Sequence, residues 1–396
     1  MTGFRPELRR EPATDLSDLA DDAGLAKRIR AEIHAAGPMP FARFMELALY
    51  DPEGGYYRSP EARPGRGGDF ITAPELHPIF GELIGKAVAD AWVALGQPEP
   101  FIVVEHGAGE GALAVPMLTT LPAVIAYHAV DVDERRTAAL QRRLADAGLR
   151  ERLLDPLPAP FDGVIVANEV LDALPVHRVR QRGGALREVA VAVGTDGQLV
   201  EVEIDPTSPM LAERLDVEHI ELVNGQTAEI ALGVDDWIRD VASPLRRGLL
   251  ILIDYGASAA ELYDPARRRD GTLQAYVRHQ VSDDPYRFVG RQDLTAHVDV
   301  TAIQRAAEAA GLTTLGLTTQ AEALMALGIE ERLGEIRSDP GTTIEAYVLL
   351  RASLLRLLDP AAMGRFRVMV FGRAWPAGRT PRLLDYRLAR PRSTTD

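Results

Sequence analysis

The feature that most constrains this chain is a glycine turn, Glu105-His106-Gly107-Ala108-Gly109-Glu110-Gly111. It lies between an apolar run over 101–105 and a stretch over 111–121 with helical periodicity. Glycines at such a junction let the backbone approach a ligand with no Cβ in the way. In open α/β sheets, ligands bind beyond the carboxyl ends of the strands. Around this turn the apolar period switches between strand and helix. Buried strands are predicted over 126–130, 161–167 and 248–254, and helices over 134–147 and 237–245. Alternation of this kind builds parallel strands joined by right-handed crossovers, with helices on both faces. The fold class is therefore α/β.

Outside that core the pattern is less regular. Helices are predicted over 25–36, 41–49, 77–95, 300–310 and 344–358, and a strand over 366–371. Strands over 186–193 and 199–204 flank Gly194-Thr195-Asp196-Gly197 and read as an antiparallel hairpin. Residues 58–69 are loop, 205–235 are poorly patterned, and 257–300 are polar and turn-rich. The resulting division is a disordered tail over 1–22, one domain over 23–380 and a basic tail over 381–396. Accessory segments are expected near 37–75, 185–235 and 257–300.

The formal net charge is −14, a poor footprint for binding nucleic acid, which rewards Lys and Arg on phosphates. Arg178, Arg180, Arg182 and Arg187 are the one candidate basic patch. The absence of cysteine removes disulfides, thiol nucleophiles and Cys-ligated iron–sulfur clusters. The histidines lack zinc-type spacing, so no metal is expected. No 18-residue apolar run spans a membrane. The first 22 residues mix Arg with acids and lack an apolar core, so a cytoplasmic protein is expected.

Two ligand classes fit the glycine turn. Gly107, Gly109 and Ala112 satisfy the dinucleotide spacing G-x-G-x-x-G/A, and Asp131 suits a ribose diol in either class. A dinucleotide would lay its pyrophosphate on the helix N-terminus, where Glu105 and Glu110 would repel it. S-adenosyl-L-methionine (SAM) presents an ammonium and a sulfonium, and both gain from carboxylates. The turn is therefore read as a SAM site built on Glu105, Gly107, Gly109, Gly111 and Asp131, with an NAD-dependent oxidoreductase as the alternative.

Asn168 and Glu169 end the third predicted strand on the same rim. A carboxylate there can hold a cationic amine or guanidinium, and an amide oxygen can orient its N–H. Asn168, Glu169 and Asp172 are thus catalytic candidates, Asn168 also a cofactor ligand, against the alternative that they cap the next helix. The loop Gly67-Gly68-Asp69-Phe70-Ile71-Thr72-Ala73-Pro74-Glu75 contains a capping box, Thr72 with Glu75. It would equally serve as a lid bringing Asp69 and Thr72 to the cofactor. His279 and His297 stand in stretches of mixed polarity suited to a pocket wall, and His297 is a further catalytic candidate.

Together these strings resemble the MidA-type methyltransferases, relatives of the mitochondrial complex I assembly-factor arginine methyltransferase. The likeness runs through Phe44 to Pro52, Gly55-Tyr56-Tyr57, Gly68 to Glu75, Phe80-Gly81 and Glu105 to Gly111. It continues through Asn168 to Val176, Asp254-Tyr255-Gly256, Asp293 to Asp299, Thr319-Gln320 and Met363-Gly364. The resemblance implies a class I, Rossmann-like, seven-strand SAM-dependent methyltransferase core, with added helical and hairpin segments covering the substrate site. It implies methylation of arginine in a protein partner such as a respiratory-complex subunit; a homodimer is a separate expectation. His106, Val170-Leu171 and Val300 depart from the family pattern beside these motifs, which bears on substrate more than on cofactor. A SAM-fold assembly scaffold with little turnover and a small-molecule methyltransferase are the other readings.

Overall fold

The computed structural model describes residues 16, 18–59, 71–278, 280–282 and 284–386. Its centre is a six-stranded sheet: β1 Phe101–His106, β2 Ile125–Val130, β3 Phe161–Asn168, β4 Leu245–Asp254, β5 Thr313–Thr319 and β6 Arg367–Arg373. The order across the sheet is β5-β6-β4-β3-β1-β2. β2, β1, β3 and β4 run parallel. β6 is antiparallel to both β4 and β5. The chain leaves β1 toward β2 on one side and later returns to β3 on the other. The carboxyl ends of β1 and β3 therefore form the switch point where such sheets take ligands.

Side chains alternate along each strand, which explains why these runs read as continuously apolar. Phe101, Val103, Val164 and Val166 pack with the helices Ile79–Ala94 and Ala114–Thr120. Ile102, Val104, Ile165 and Ala167 face the opposite way, onto the helices Val234–Ala242 and Val300–Ala309. Both faces are covered, and the charged residues of these strands, such as Glu105, Asp162 and Arg247, stand toward their ends.

The class I architecture matches the expectation, with one difference at the edge. Beyond β2, where a seventh strand would lie, the described chain makes a single bridge between Tyr127 and Leu153. Arg152 takes over the fastening there. Its buried guanidinium donates to the carbonyls of Ile125 at 2.9 Å, Leu118 at 2.6 Å and Pro122 at 3.0 Å. One cation thus ties the loop before β2 to the chain that returns after the helix Glu134–Asp146.

The accessory segments fold together. A second sheet joins His177–Arg182, Ala185–Val193, Leu199–Ile204 and Thr227–Ile230 with the short strand Met39–Pro40. A three-stranded sheet forms from Gln274–Val277, Gln280–Ser282 and Asp293–Thr295. Leu25, Ile29, Phe41, Phe44, Val191, Leu199, Ala275 and Leu294 share one apolar cluster. The helices Ala23–Ala36 and Phe41–Tyr50 therefore belong with the accessory segments. The patterned hairpin is present, while 205–235 contains the helix Met210–Val217 and the strand Thr227–Ile230.

Three expectations are corrected. The basic patch does not form: Arg178 and Arg180 pair with Glu201, Arg180 and Arg182 with Glu203, and Arg187 with Asp205. The tail drawn to residue 22 ends earlier, because Asp18 pairs with Arg278 at 2.9 Å and Asp22 caps the first helix; residues 1–15 and 17 lie outside the described residues. At the other end, order persists past 381, since Leu383 is buried in the turn Arg382–Leu384. Among the described residues no helix is long and apolar enough to cross a membrane.

Arg152 gives a direct test of the sheet edge. Arg152→Met keeps the aliphatic length but strands several buried carbonyls, each costing of order 1 kcal/mol or more. We expect a loss of about 2–3 kcal/mol in chemical denaturation; an unchanged midpoint would show that the carbonyls find other donors.

Candidate functional site

A cavity of about 880 Å³ opens at the switch point. The glycine turn forms its floor. The amides of Gly107 and Ala108 donate to the carbonyl of Val130, which pins the end of β1 to the end of β2. Gly107, Gly109 and Gly111 all have positive φ, at 70°, 53° and 87°. A Cβ on Gly107 would come within 2.6 Å of Val170. A Cβ on Gly109 would meet only one carbonyl oxygen, 4.0 Å away. Gly107 is therefore required by packing, whereas Gly109 keeps space open in the cavity wall.

Asp131 holds the turn from the next strand. Its Oδ2 accepts from Gly109 N at 2.8 Å and its Oδ1 from Asp133 N at 2.9 Å. Glu105 lies deeper, fully buried beneath the turn, with the Tyr127 hydroxyl donating to its Oε2 at 2.8 Å. Burial dominates its titration and pushes the carboxyl up to about 8, the tyrosine bond pulling the other way.

On the facing rim Glu169 adopts a left-handed conformation, φ 52°, uncommon for a residue with a Cβ. Its Oε1 accepts from Ala73 N at 3.0 Å and from Asn168 Nδ2 at 2.8 Å. Burial raises its carboxyl to about 8, with Asp172 and Glu75 adding repulsion. Asn168 Oδ1 is buried with no hydrogen-bond partner. An orphaned acceptor beside a cavity is a vacancy for an N–H donor.

The helix-cap alternative for Asn168 and Glu169 fails on geometry, because Asp254 performs that task. Its Oδ2 accepts from the amides of Val170, Leu171 and Asp172 at 3.2, 2.9 and 3.2 Å. Asp254 is fully buried and its carboxyl is pushed up by burial, then by Asp172 and Glu169. Asp254 stands in the sequence within the string Asp254-Tyr255-Gly256 with no predicted role; the signal for one is a carboxylate ending a buried apolar strand.

The other predicted residues divide. Thr72 lines the cavity and forms the capping box with Glu75, its amide donating to Glu75 Oε2 at 3.1 Å. Asp69 and His279 lie outside the described residues. Asp172 is buried behind the wall, bonded to Tyr255, and burial raises it to about 6; it supports the turn without lining the cavity. His297 is not brought to the cavity. It lines a separate space of about 30 Å³ and packs edge-on against Tyr255, with Arg268 3.2 Å from its Nδ1. Burial, then Arg268 and Arg365, lowers it to about 4. Among the described residues no group of three or more His, Asp or Glu is placed to hold a metal.

Four further lining residues had no predicted role: Tyr50, Tyr57, Arg136 and Trp237. Tyr50 and Tyr57 stack at 5.5 Å, Arg136 lies over the Tyr57 ring, and Trp237 meets the edge of His106. Arg136 and Trp237 sit in stretches of helical periodicity and Tyr50 and Tyr57 in the strings that carry the resemblance, and neither signal says which way a side chain faces.

Buried carboxyls, an orphaned amide oxygen and a glycine wall suit a cationic ligand and oppose a pyrophosphate. Residues 83–318 match a family of S-adenosyl-L-methionine-dependent methyltransferases. A Burkholderia thailandensis protein solved with S-adenosyl-homocysteine bound is 36% identical, covers 92% of this chain and 95% of its own, and superposes with a TM-score of 0.84. The chain belongs to the MidA-type SAM-dependent methyltransferases. Named relatives of this methyltransferase include the mitochondrial protein arginine methyltransferase NDUFAF7 homolog of Drosophila melanogaster, 29% identical over 91% of this chain and 87% of that one. The NDUFAF7 of Danio rerio is 25% identical over 86% and 84%. The oxidoreductase reading falls. The cytoplasmic expectation is also corrected, because these relatives are mitochondrial proteins; the mixed charge of the first 22 residues does not decide a compartment.

Glu105 makes the electrostatics of the methyltransferase testable. Its folded value, about 8, lies above its ordinary 4.5, so the folded chain binds that proton more tightly. Its stabilising contribution is whole below about pH 4.5 and is lost as pH rises through about 8. Glu105→Gln should therefore melt near the parent at pH 5 and above it at pH 8.5 without ligand, while S-adenosyl-homocysteine binds more weakly. Thermal melts at the two pH values decide it; a variant less stable at both would contradict the assignment.

Proposed function

We propose that this methyltransferase modifies an arginine nitrogen of a protein partner, with Glu169 and Asn168 at the point of transfer. The observation that carries the reading is the pairing of a half-buried, desolvated carboxyl with a buried, unsatisfied amide oxygen on the cavity rim. The arginine methyltransferase relatives support the same class of acceptor, and the chain's negative charge weighs against nucleic acid.

SAM, when bound, supplies an electrophilic methyl group on its sulfonium. The residues proposed to hold it are Glu105, Gly107, Gly109, Gly111 and Asp131, with Thr72 and Asn168 at the rim and Asp69, three residues before Thr72 in the sequence. Glu105 and Asp131 offer negative charge to a ligand carrying an ammonium and a diol. Gly109 keeps the wall free of a side chain.

The acceptor makes the greater demand. A guanidinium has a pKa above about 12 and is a poor nucleophile until its charge is held and a proton can leave. Glu169 Oε1 is already committed to Ala73 N and Asn168 Nδ2, which leaves Oε2 to accept a guanidinium N–H. Arrival of that cation favours the ionised carboxylate and offsets the repulsion from Asp172 and Glu75. Asn168 Oδ1 accepts a second N–H and fixes the plane of the group. As the nitrogen gains its methyl it loses one proton, which Glu169 takes and passes to solvent. Asp172 and Asp254 act as positioning residues behind the turn.

Glu169→Gln separates binding from chemistry, since it keeps the shape and removes the charge. Affinity for S-adenosyl-homocysteine should stay within a few-fold, while methyl transfer falls about 100- to 1000-fold, the usual loss for an electrostatic group of this kind. Both are measured on one purified variant. Equal losses would make Glu169 a cofactor ligand alone, and normal turnover would remove it from the mechanism.

A further inference from the structure

The helix Ile344–Leu358 uses only half of its circumference inside the molecule. Leu350, Ser353, Leu354 and Leu357 are buried, and the Ser353 hydroxyl donates to the carbonyl of Leu76 at 3.1 Å. The opposite side is also apolar. Ile344 is 80% exposed, Val348 58% and Leu355 69%, and the exposed Ala352 falls on the same stripe. Positions 344, 348, 352 and 355 recur every three or four residues, so they line one face. Isolated exposed apolar residues are ordinary, but a continuous stripe three turns long marks a contact surface.

The arrangement of this stripe selects its partner. Its apolar positions are nearly symmetric about residue 350: Ile344 balances Leu355, and Val348 balances Ala352, a large residue against a small one. The charges follow the same centre. Glu345 and Arg356 are exposed on one flank of the stripe, about 20° apart around a helix of 3.6 residues per turn. When two such helices pack antiparallel about a twofold axis, each flank meets the same flank of its mate. Glu345 of one copy then faces Arg356 of the other, twice. A C2 interface requires this kind of self-complementarity.

We propose that the exposed face of the helix Ile344–Leu358 is a dimerisation surface, occupied by the same helix of a second copy of this chain in antiparallel register. A single helix pair buries less than the roughly 1,200 Å² of a stable interface, so the dimer is expected to dissociate in the micromolar range. Nothing in the proposal depends on the acceptor or on the chemistry at Glu169.

Sedimentation velocity of the full chain over a concentration series tests it. The parent should shift from monomer toward dimer as concentration rises. Val348→Glu should remain monomeric, because it places charge in the centre of the stripe. Glu345→Arg and Arg356→Glu should each weaken association about tenfold or more, and the double exchange, Glu345→Arg with Arg356→Glu, should restore it. Binding of S-adenosyl-homocysteine by every variant confirms that the fold is kept. A parent that stays monomeric throughout would overturn the proposal, as would a dimer untouched by Val348→Glu or a double exchange no better than the single ones. Burial of the stripe by another segment of the same chain would appear as the first of these outcomes.

Discussion

A buried carboxylate, Asp254, holds the site in shape. It ends β4 and reaches across to three consecutive amides, those of Val170, Leu171 and Asp172. Three backbone donors converging on one oxygen fix a turn that has little regular structure of its own. The consequence lies one residue earlier. With 170–172 fastened, Glu169 is left in the left-handed region, a conformation that persists only where its surroundings over-determine it. The same turn sets Val170 against Gly107, so the two walls of the cavity are built against each other.

That geometry collects acidic groups where few would gather unaided. Asp172 and Asp254 are buried and Glu169 is half-buried; each is raised chiefly by desolvation, Asp172 adds to the shift of Glu169, and both add to that of Asp254. Glu105 adds a fourth on the cofactor side. In the absence of a cation such a cluster favours protonated forms. A cationic ligand reverses the preference, because it supplies the compensation that the protein omits. The stabilisation withheld from the free protein is then available to bound ligands. This links the fold to the chemistry: the sheet buries the carboxyls, and the ligand's charge makes their ionisation favourable.

The parallel core was legible because its signal is local. Each strand is an apolar run, each crossover helix is periodic, and the glycine turn marks where they meet. The bracketing acids Glu105 and Glu110 were enough to favour a sulfonium over a pyrophosphate. Edges were harder. The place of a seventh strand is taken by Arg152, and nothing in its sequence neighbourhood shows that its guanidinium will reach four carbonyls. The arginines at 178, 180, 182 and 187 looked like a patch because their acidic partners arrive from Leu199–Ile204 and beyond. His297 was misplaced for a similar reason: its polar neighbours suit a wall, but the wall belongs to a different, smaller space. Tyr50 and Tyr57 stand in strings that carry the resemblance and Trp237 in a periodic helix, and none of these signals says which way a ring points.

The central claim is that this site transfers a methyl group to the guanidinium of a protein arginine. Its most direct test is radiolabelled methyl transfer from SAM into a lysate of the host organism by the purified protein, with the labelled residue mapped by mass spectrometry. The account predicts label in protein, on an arginine side chain, and about 100- to 1000-fold less of it when Glu169 is replaced by Gln. Label that accumulates in nucleic acid, in a small molecule or on a residue other than arginine would contradict it.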